Sequence, residues 1–158
     1  MKKIRIIASA ALLSVTALGA VTLTSCTKED CAIGYEGSDC TTEIREQMIG
    51  TYGAVDVRSD GNTKTYTPIV TKNSGNVTVI NIQEFGDFYT GSSEIVTSNV
   101  TKTGNTINFT IPTQKPDNVY TVSGSGAYDV NTKKVTITYT LSDGLGGTSN
   151  YSGTWTKN

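Results

Sequence analysis

The groups of this 158-residue chain with chemistry to offer are three cysteines, Cys26, Cys31 and Cys40, and a few carboxylates set among aromatic rings. Histidine is absent. That removes the usual general base near neutral pH, the usual zinc ligand and every nucleophile–histidine pair. Acid–base work would fall to two carboxylates facing each other, the arrangement that cleaves glycosidic bonds. The acids that chain order could bring together are Glu84, Asp87 and Glu94, around Phe85, Phe88 and Tyr89 in the most aromatic stretch of the sequence. One reading of that stretch is a strand end and loop whose rings cap a core. The other is a binding rim of Glu84, Phe85, Asp87, Phe88 and Tyr89, aromatic faces with acids and amides beside them, suited to sugars or peptides. Catalysis is not expected. The chain has no glycine-rich phosphate loop at a strand–helix junction and no EF-hand loop, and its residues call for no metal and no cofactor.

The first 25 residues differ from the rest. Lys2, Lys3 and Arg5 form a positive head, residues 6–20 are an uncharged apolar run, and small residues follow up to Cys26. Positive head, short apolar body and small residues before a cut describe an export signal. A retained membrane helix would need about 20 predominantly apolar residues, and Ser9, Ser14, Thr16 and Gly19 interrupt this run. Leu23-Thr24-Ser25-Cys26 resembles the lipobox read by bacterial lipoprotein signal peptidase, in which the cysteine thiol takes the lipid. The expected mature chain therefore starts at a lipidated Cys26 and is held to a membrane. Without residues 1–25, 10 basic and 14 acidic residues remain, a net of −4. A mild negative balance with no basic run argues against nucleic acid as a partner.

With Cys26 committed to lipid, Cys31 and Cys40 are left as an even pair in an exported protein, where disulfides persist. Lys28, Glu29 and Asp30 follow the anchor. They are similar to the lysine–acid–acid signal that sends Bacteroidetes lipoproteins to the outer face of the outer membrane; the alternative is the periplasmic face. Cys31-Ala-Ile-Gly-Tyr-Glu-Gly-Ser-Asp-Cys40 resembles the last loop of an EGF-like module, with Gly34 and Gly37 turning the chain. Residues 26–40 thus read as a tether with a stapled loop.

Residues 41–49 carry a helical signature. Glu43 and Glu46 lie near the start, Ile44 and Met48 are four apart, and Gly50 stands ready as a cap. Beyond it the period becomes two. Ile107, Phe109 and Ile111 alternate with Thr106, Asn108 and Thr110, and Val135, Ile137, Tyr139 and Leu141 alternate with Thr136, Thr138, Thr140 and Ser142. Strands with one buried and one wet face have this pattern. Strands are expected over 51–58, 64–72, 76–83, 93–102, 105–113, 119–128, 134–142 and 148–157, with turn residues such as Asp60-Gly61 and Asp143-Gly144 between them. About eight antiparallel strands after a short helix make residues 41–158 an all-β domain, either a lipocalin-like barrel or a β-sandwich. Tyr128, Tyr139, Tyr151 and Trp155 fall on the inner face of such a domain, interleaved with glycines that let a curved sheet close or leave room for a ligand.

Gly50-Thr51-Tyr52 behind a short helix looks like the opening of lipocalin-type proteins, where a glycine, one residue and an aromatic begin the barrel. Lys157 is the basic residue available near the last strand. The chain also resembles small lipoproteins of gut Bacteroidetes that join a C-x-x-G-Y-x-G-x-x-C leader to an E-x-R segment, a G-T-Y start and a lipocalin-like domain. The matching residues are Cys31, Gly34, Tyr35, Gly37, Cys40, Glu43, Arg45, Gly50, Thr51 and Tyr52. The resemblance implies an address and a fold, and no activity.

Two functions are compatible with these features. The first is a surface-displayed binding or interaction module, taking a small apolar ligand inside a barrel or a glycan or protein at its loops. The second is a structural or accessory envelope lipoprotein with no small ligand.

Overall fold

The computed structural model describes residues 31–91 and 93–158. The export signal, the lipobox residues Leu23, Thr24 and Ser25, the anchor Cys26 and the Lys28-Glu29-Asp30 signal lie outside the described residues.

The described chain opens with the Cys31–Cys40 disulfide, which closes a loop of sequence separation 9. Two short strands, β1 (Tyr35–Glu36) and β2 (Thr42–Glu43), pair across its base. The helix expected over 41–49 is a β-bridge followed by a five-residue 3-10 helix, Ile44–Met48. A segment this short cannot repay α-helix nucleation, and tertiary contacts decide its form. Met48 is buried in the core, and so is the Arg45 side chain.

Nine further strands follow: β3 (Gly50–Arg58), β4 (Thr63–Tyr66), β5 (Ile69–Lys72), β6 (Val79–Gln83), β7 (Val96–Thr103), β8 (Thr106–Gln114), β9 (Thr121–Asp129), β10 (Lys134–Ser142) and β11 (Thr148–Lys157). Each of β5 to β11 pairs antiparallel with the next, and β11 returns to β3 through seven registered pairs from Tyr52–Lys157 to Arg58–Tyr151. The sheet closes on itself as an eight-stranded antiparallel barrel, with β4 as one further strand on β3. This settles the sequence alternatives in favour of the barrel.

The expected strand over 64–72 is broken in two. β3 pairs with β4 through Ala54–Val57 and with β5 through Gly50–Thr51. Between the two lies Pro68, which has no N–H for a ladder; its carbonyl still accepts the Tyr52 N–H at 3.0 Å. A second irregularity sits at Pro112, where the β8–β9 register shifts between Ile111 and Gln114. On the other edge of β8, beyond the last β7–β8 register pair Asn99–Thr110, the Gln114 side chain bonds the β7 backbone in place of a ladder. Its Oε1 accepts the Thr97 N–H at 2.8 Å and its Nε2 donates to the Thr97 carbonyl at 2.7 Å.

One end of the barrel is sealed by residues 31–49. Arg45 Nη1 lies 2.6–2.7 Å from the carbonyls of Asn73, Asn76 and Val79, holding the β5–β6 turn, while its Nε donates to Glu43 at 2.9 Å. Lys157, on the last strand, donates to the Gln47 carbonyl of the 3-10 helix at 2.9 Å. The expected strand over 76–83 starts only at Val79, because residues 73–78 form this turn. Asn73 and Asn76 carboxamides accept the N–H groups of Gly75, Asn76 and Thr78 there. The other end carries the β3–β4, β6–β7, β8–β9 and β10–β11 connections. Three of these are pinned by an aspartate that accepts backbone N–H groups: Asp60 at Asn62, Asp117 at Val119 and Tyr120, and Asp143 at Leu145 and Gly147. These acids hold turns.

Candidate functional site

Among the described residues the inner face holds one buried acid. Asp56 follows Tyr52 and Ala54 at period two on β3, and all three are fully buried. Its Oδ2 accepts the Tyr66 hydroxyl at 2.6 Å and the Tyr139 hydroxyl at 2.9 Å, and its Oδ1 accepts the Trp155 Nε1–H at 3.1 Å. Three neutral donors from β4, β10 and β11 thus converge on one carboxylate. Gly153 lies opposite Asp56 in the β3–β11 register, and a Cβ there would overlap Asp56 Oδ1. The missing side chain is what lets the carboxylate lie flat against the wall.

The four residues expected inside the barrel, Tyr128, Tyr139, Tyr151 and Trp155, are all buried on its inner face. They are not alone there. The segment after β6 turns inward: Glu84, Gly86 and Asp87 all have positive φ, at 54°, 67° and 58°. The Phe88 and Tyr89 N–H groups bond back to the Phe85 carbonyl. This tight turn puts Phe85 and Tyr89, four apart, on one side, and both are completely buried. Phe85 sits edge-on to Tyr139 and Trp155, with ring centroids 4.8 and 5.9 Å away. Tyr89 donates its hydroxyl to the Tyr120 carbonyl at 2.9 Å. A Cβ on Gly86 would lie 3.0 Å from the Tyr139 hydroxyl, so the inward turn packs directly against the Asp56 node.

Of the five residues read as a rim, Phe85 and Tyr89 are therefore part of the core, while Glu84 and Asp87 are exposed and Phe88 is half-buried. The acids serve separate places. Asp87 lies 3.9 Å from Lys64, and Glu94 accepts the Gly91 N–H at 2.8 Å.

At the barrel mouth the aromatic packing continues outward. Tyr139 stacks on Tyr151 at 4.8 Å with the planes 7° apart, Tyr151 meets Phe88 at 5.5 Å, and Phe88 meets Tyr120 at 6.3 Å. The Lys64 ammonium sits 3.7 Å from the centre of the Phe88 ring. Phe88, Tyr120 and Tyr151 line a hollow completed by Arg58, Leu141, Asp143 and residues 147–149. Arg58 pairs with Asp60, which holds that carboxyl far below the usual range, and the pair is exposed. An aromatic shelf flanked by cations, an acid and hydroxyls can take a ligand with one apolar face and several hydrogen-bonding groups. Sequence reading missed Asp56, Arg58, Lys64 and the Tyr120 ring as parts of this end. For Asp56 a signal was present: it is the one acid on the buried parity of β3.

Burial pushes the hydroxyls of Tyr52, Tyr66, Tyr89, Tyr128 and Tyr139 upward in pKa, and the nearby Asp56 carboxylate adds to this for Tyr66 and Tyr139. A group whose folded pKa is raised contributes stability that is whole below its unfolded value, about 10 for tyrosine, and is lost as pH climbs past it. These five tyrosines are expected to ionise only as the barrel opens. An alkaline titration read by tyrosinate absorbance should show a late step coincident with loss of near-UV circular dichroism. A smooth titration of all tyrosines before that loss would contradict the packing.

No family model and no curated protein matches the chain. Similar solved structures include a redesigned β-barrel at 19% identity and a TM-score of 0.45, covering 72% of this chain and 93% of that one. Another is EF1p2_mFAP2b bound to DFHBI, at 15% identity and a TM-score of 0.47, covering 72% and 95%. A third, the redesigned barrel mFAP1 bound to DFHBI, is 21% identical with a TM-score of 0.42, covering 71% and 96%.

Proposed function

We propose that the chain is a membrane-anchored lipoprotein, lipidated at Cys26 and displayed at the cell surface, whose β-barrel binds its ligand at the loop rim remote from the anchor. The anchor and the display rest on the Leu23–Cys26 and Lys28–Asp30 motifs, and the observation that carries the placement of the site is the polarity of the barrel. The chain enters at the end sealed by Arg45 and Lys157, and the Phe88–Tyr120–Tyr151 shelf lies at the other. A tether attached to the first end leaves the second facing outward.

The interior supports the rim over an internal ligand. Phe85, Tyr89, Tyr139 and Trp155 are buried in and around the Asp56 node, and a well-packed interior accommodates added volume only with strain. The same filled, pinned interior favours the accessory-lipoprotein reading if the rim proves inert.

Two measurements test the proposal. Intact mass of the membrane-extracted protein should match residues 26–158 plus acyl chains, and protease shaving of whole cells should remove the barrel. An unlipidated mass would sink the anchor. Binding of the full chain to a panel of glycans and peptides should then fall about tenfold in Phe88→Ala, the order expected for losing one aromatic contact of about 1.4 kcal/mol. Wild-type protein that binds nothing in either panel would leave the accessory role.

A further inference from the structure

We propose, resting on the rim reading, that the ligand is a neutral oligosaccharide laid from the aromatic shelf down a hydroxyl-lined furrow on the outer wall of β9, β10 and β11. The rim hollow, about 270 Å³, does not end at the mouth. It shares Arg58 and Tyr151 with a second hollow of about 420 Å³, and this shares Ser125, Thr138 and Ser152 with a third of about 510 Å³. The three are shallow, open hollows that adjoin through these shared residues, crossing the barrel lip at Arg58 and Tyr151 and continuing down the outer wall.

The register makes the path regular. Thr140 is flanked by Ser123 and Asn150, Thr138 by Ser125 and Ser152, and Thr136 by Ala127 and Thr154. These are outward residues, and eight of the nine carry a hydroxyl or an amide. Successive rows are two residues apart, so they step down the wall by roughly 6.6 Å at the usual strand rise. The Thr140 hydroxyl is already oriented by a 2.9 Å bond to Asn150. Beside the path, across from Thr154 and Ser152, Val55 and Val57 are 46% and 40% exposed and give it an apolar flank.

The chemistry of this surface selects the ligand class. The nine wall residues carry no charge, so the wall itself offers nothing to an anionic polymer or a charged lipid headgroup. The charges at the head of the path, Arg58 and Asp143, belong to the mouth, where Arg58 is already paired with Asp60. The barrel is closed, and β9, β10 and β11 are paired on both edges. An extended peptide, which gains affinity by adding its backbone to a free edge, finds no ladder here. What remains is rows of small donors and acceptors, an apolar flank and an aromatic platform at one end. Sugar rings, with hydroxyls around the rim and apolar C–H faces, match all three.

The test uses the full chain and α-mannan and β-glucan oligomers from monosaccharide to hexasaccharide. If the furrow is occupied, affinity in one series rises with chain length. Thr138→Lys, which puts a long charged side chain across the exposed wall, should then cut hexasaccharide affinity about tenfold while leaving monosaccharide affinity and the melting temperature unchanged. Phe88→Ala should weaken every length. Affinity independent of length, with Phe88→Ala still harmful, would make the furrow a solvent face and overturn this inference while leaving the rim reading intact. Binding of peptides and of no sugar would overturn it as well. Binding of nothing would remove both.

Discussion

Asp56→Ala is expected to lower the unfolding free energy by about 3–5 kcal/mol, because it strips the acceptor from three buried donors at once. The Tyr66 and Tyr139 hydroxyls and the Trp155 N–H all end on this carboxylate. Each buried donor left without a partner costs roughly 1–3 kcal/mol, and the two hydroxyls can recover part of this by rotating. The indole N–H cannot turn away. Asp56→Asn separates these contributions. Its carbonyl can keep the Trp155 bond while its amide donates to the tyrosine oxygens, so the loss should be about half as large. Urea denaturation of both variants reads the difference as a shift in midpoint at constant slope. Alanine melting like the wild type would show that the node does not clamp the wall. A lowered slope would show that it also loosens the native barrel.

Gly126→Ala is expected to cost about 3 kcal/mol although it adds one carbon. A Cβ at Gly126 would lie 2.6 Å from the Thr136 carbonyl oxygen and 2.7 Å from Phe109 Cε1, closer than such atoms sit. The carbonyl belongs to the β9–β10 ladder and cannot move without breaking it. Phe109 lies directly across from Gly126 in the β8–β9 register, its ring resting on the bare backbone. At Gly124 the crowding comes from the facing strand, where the Thr138 carbonyl oxygen and the Tyr139 Cβ and Cα leave no room for a Cβ. Gly126 is a socket for a ring, a cross-strand pairing in which the aromatic offsets the weakness of glycine in a strand. Shrinking the ring should therefore recover part of the loss. The double variant Gly126→Ala, Phe109→Leu is expected to be more stable than the sum of the single changes predicts, a coupling that a double-mutant cycle measures. Strict additivity would refute the socket.

Where two-residue alternation was unbroken, as in β8 and β10, strand and facing were legible from composition alone, because a half-buried strand leaves no other pattern. The inner-face placement of Tyr128, Tyr139, Tyr151 and Trp155 follows from that parity. The reading failed where the backbone departs from regular geometry. Residues 41–49 have a helical spacing, but their form is decided by Arg45 reaching the carbonyls of a turn almost thirty residues away. Pro68 splits a strand whose apolar residues look continuous. The inward turn after β6 depends on positive φ at Glu84 and Asp87, a conformation that aspartate favours only modestly and glutamate does not announce at all. The rim suffered most, since its aromatics divide between core and surface according to that turn. Phe85 and Tyr89 are four apart, and in hindsight that spacing marks one shared side.

The seal at the entry end has a mechanical side. Residues 31–49 lead directly into β3, which is paired with β11 along Tyr52–Arg58 on one edge and with β4 and β5 on the other. Tension between the N-terminal segment and a load held at the far mouth would pull β3 along its own axis. Its bonds to both neighbours run across that direction, so many must shear together where a strand peeled from its end would lose them one by one. The Cys31–Cys40 bridge keeps the leader from paying out its loop under the same pull. A barrel entered in this way would meet a pull on its leader in shear.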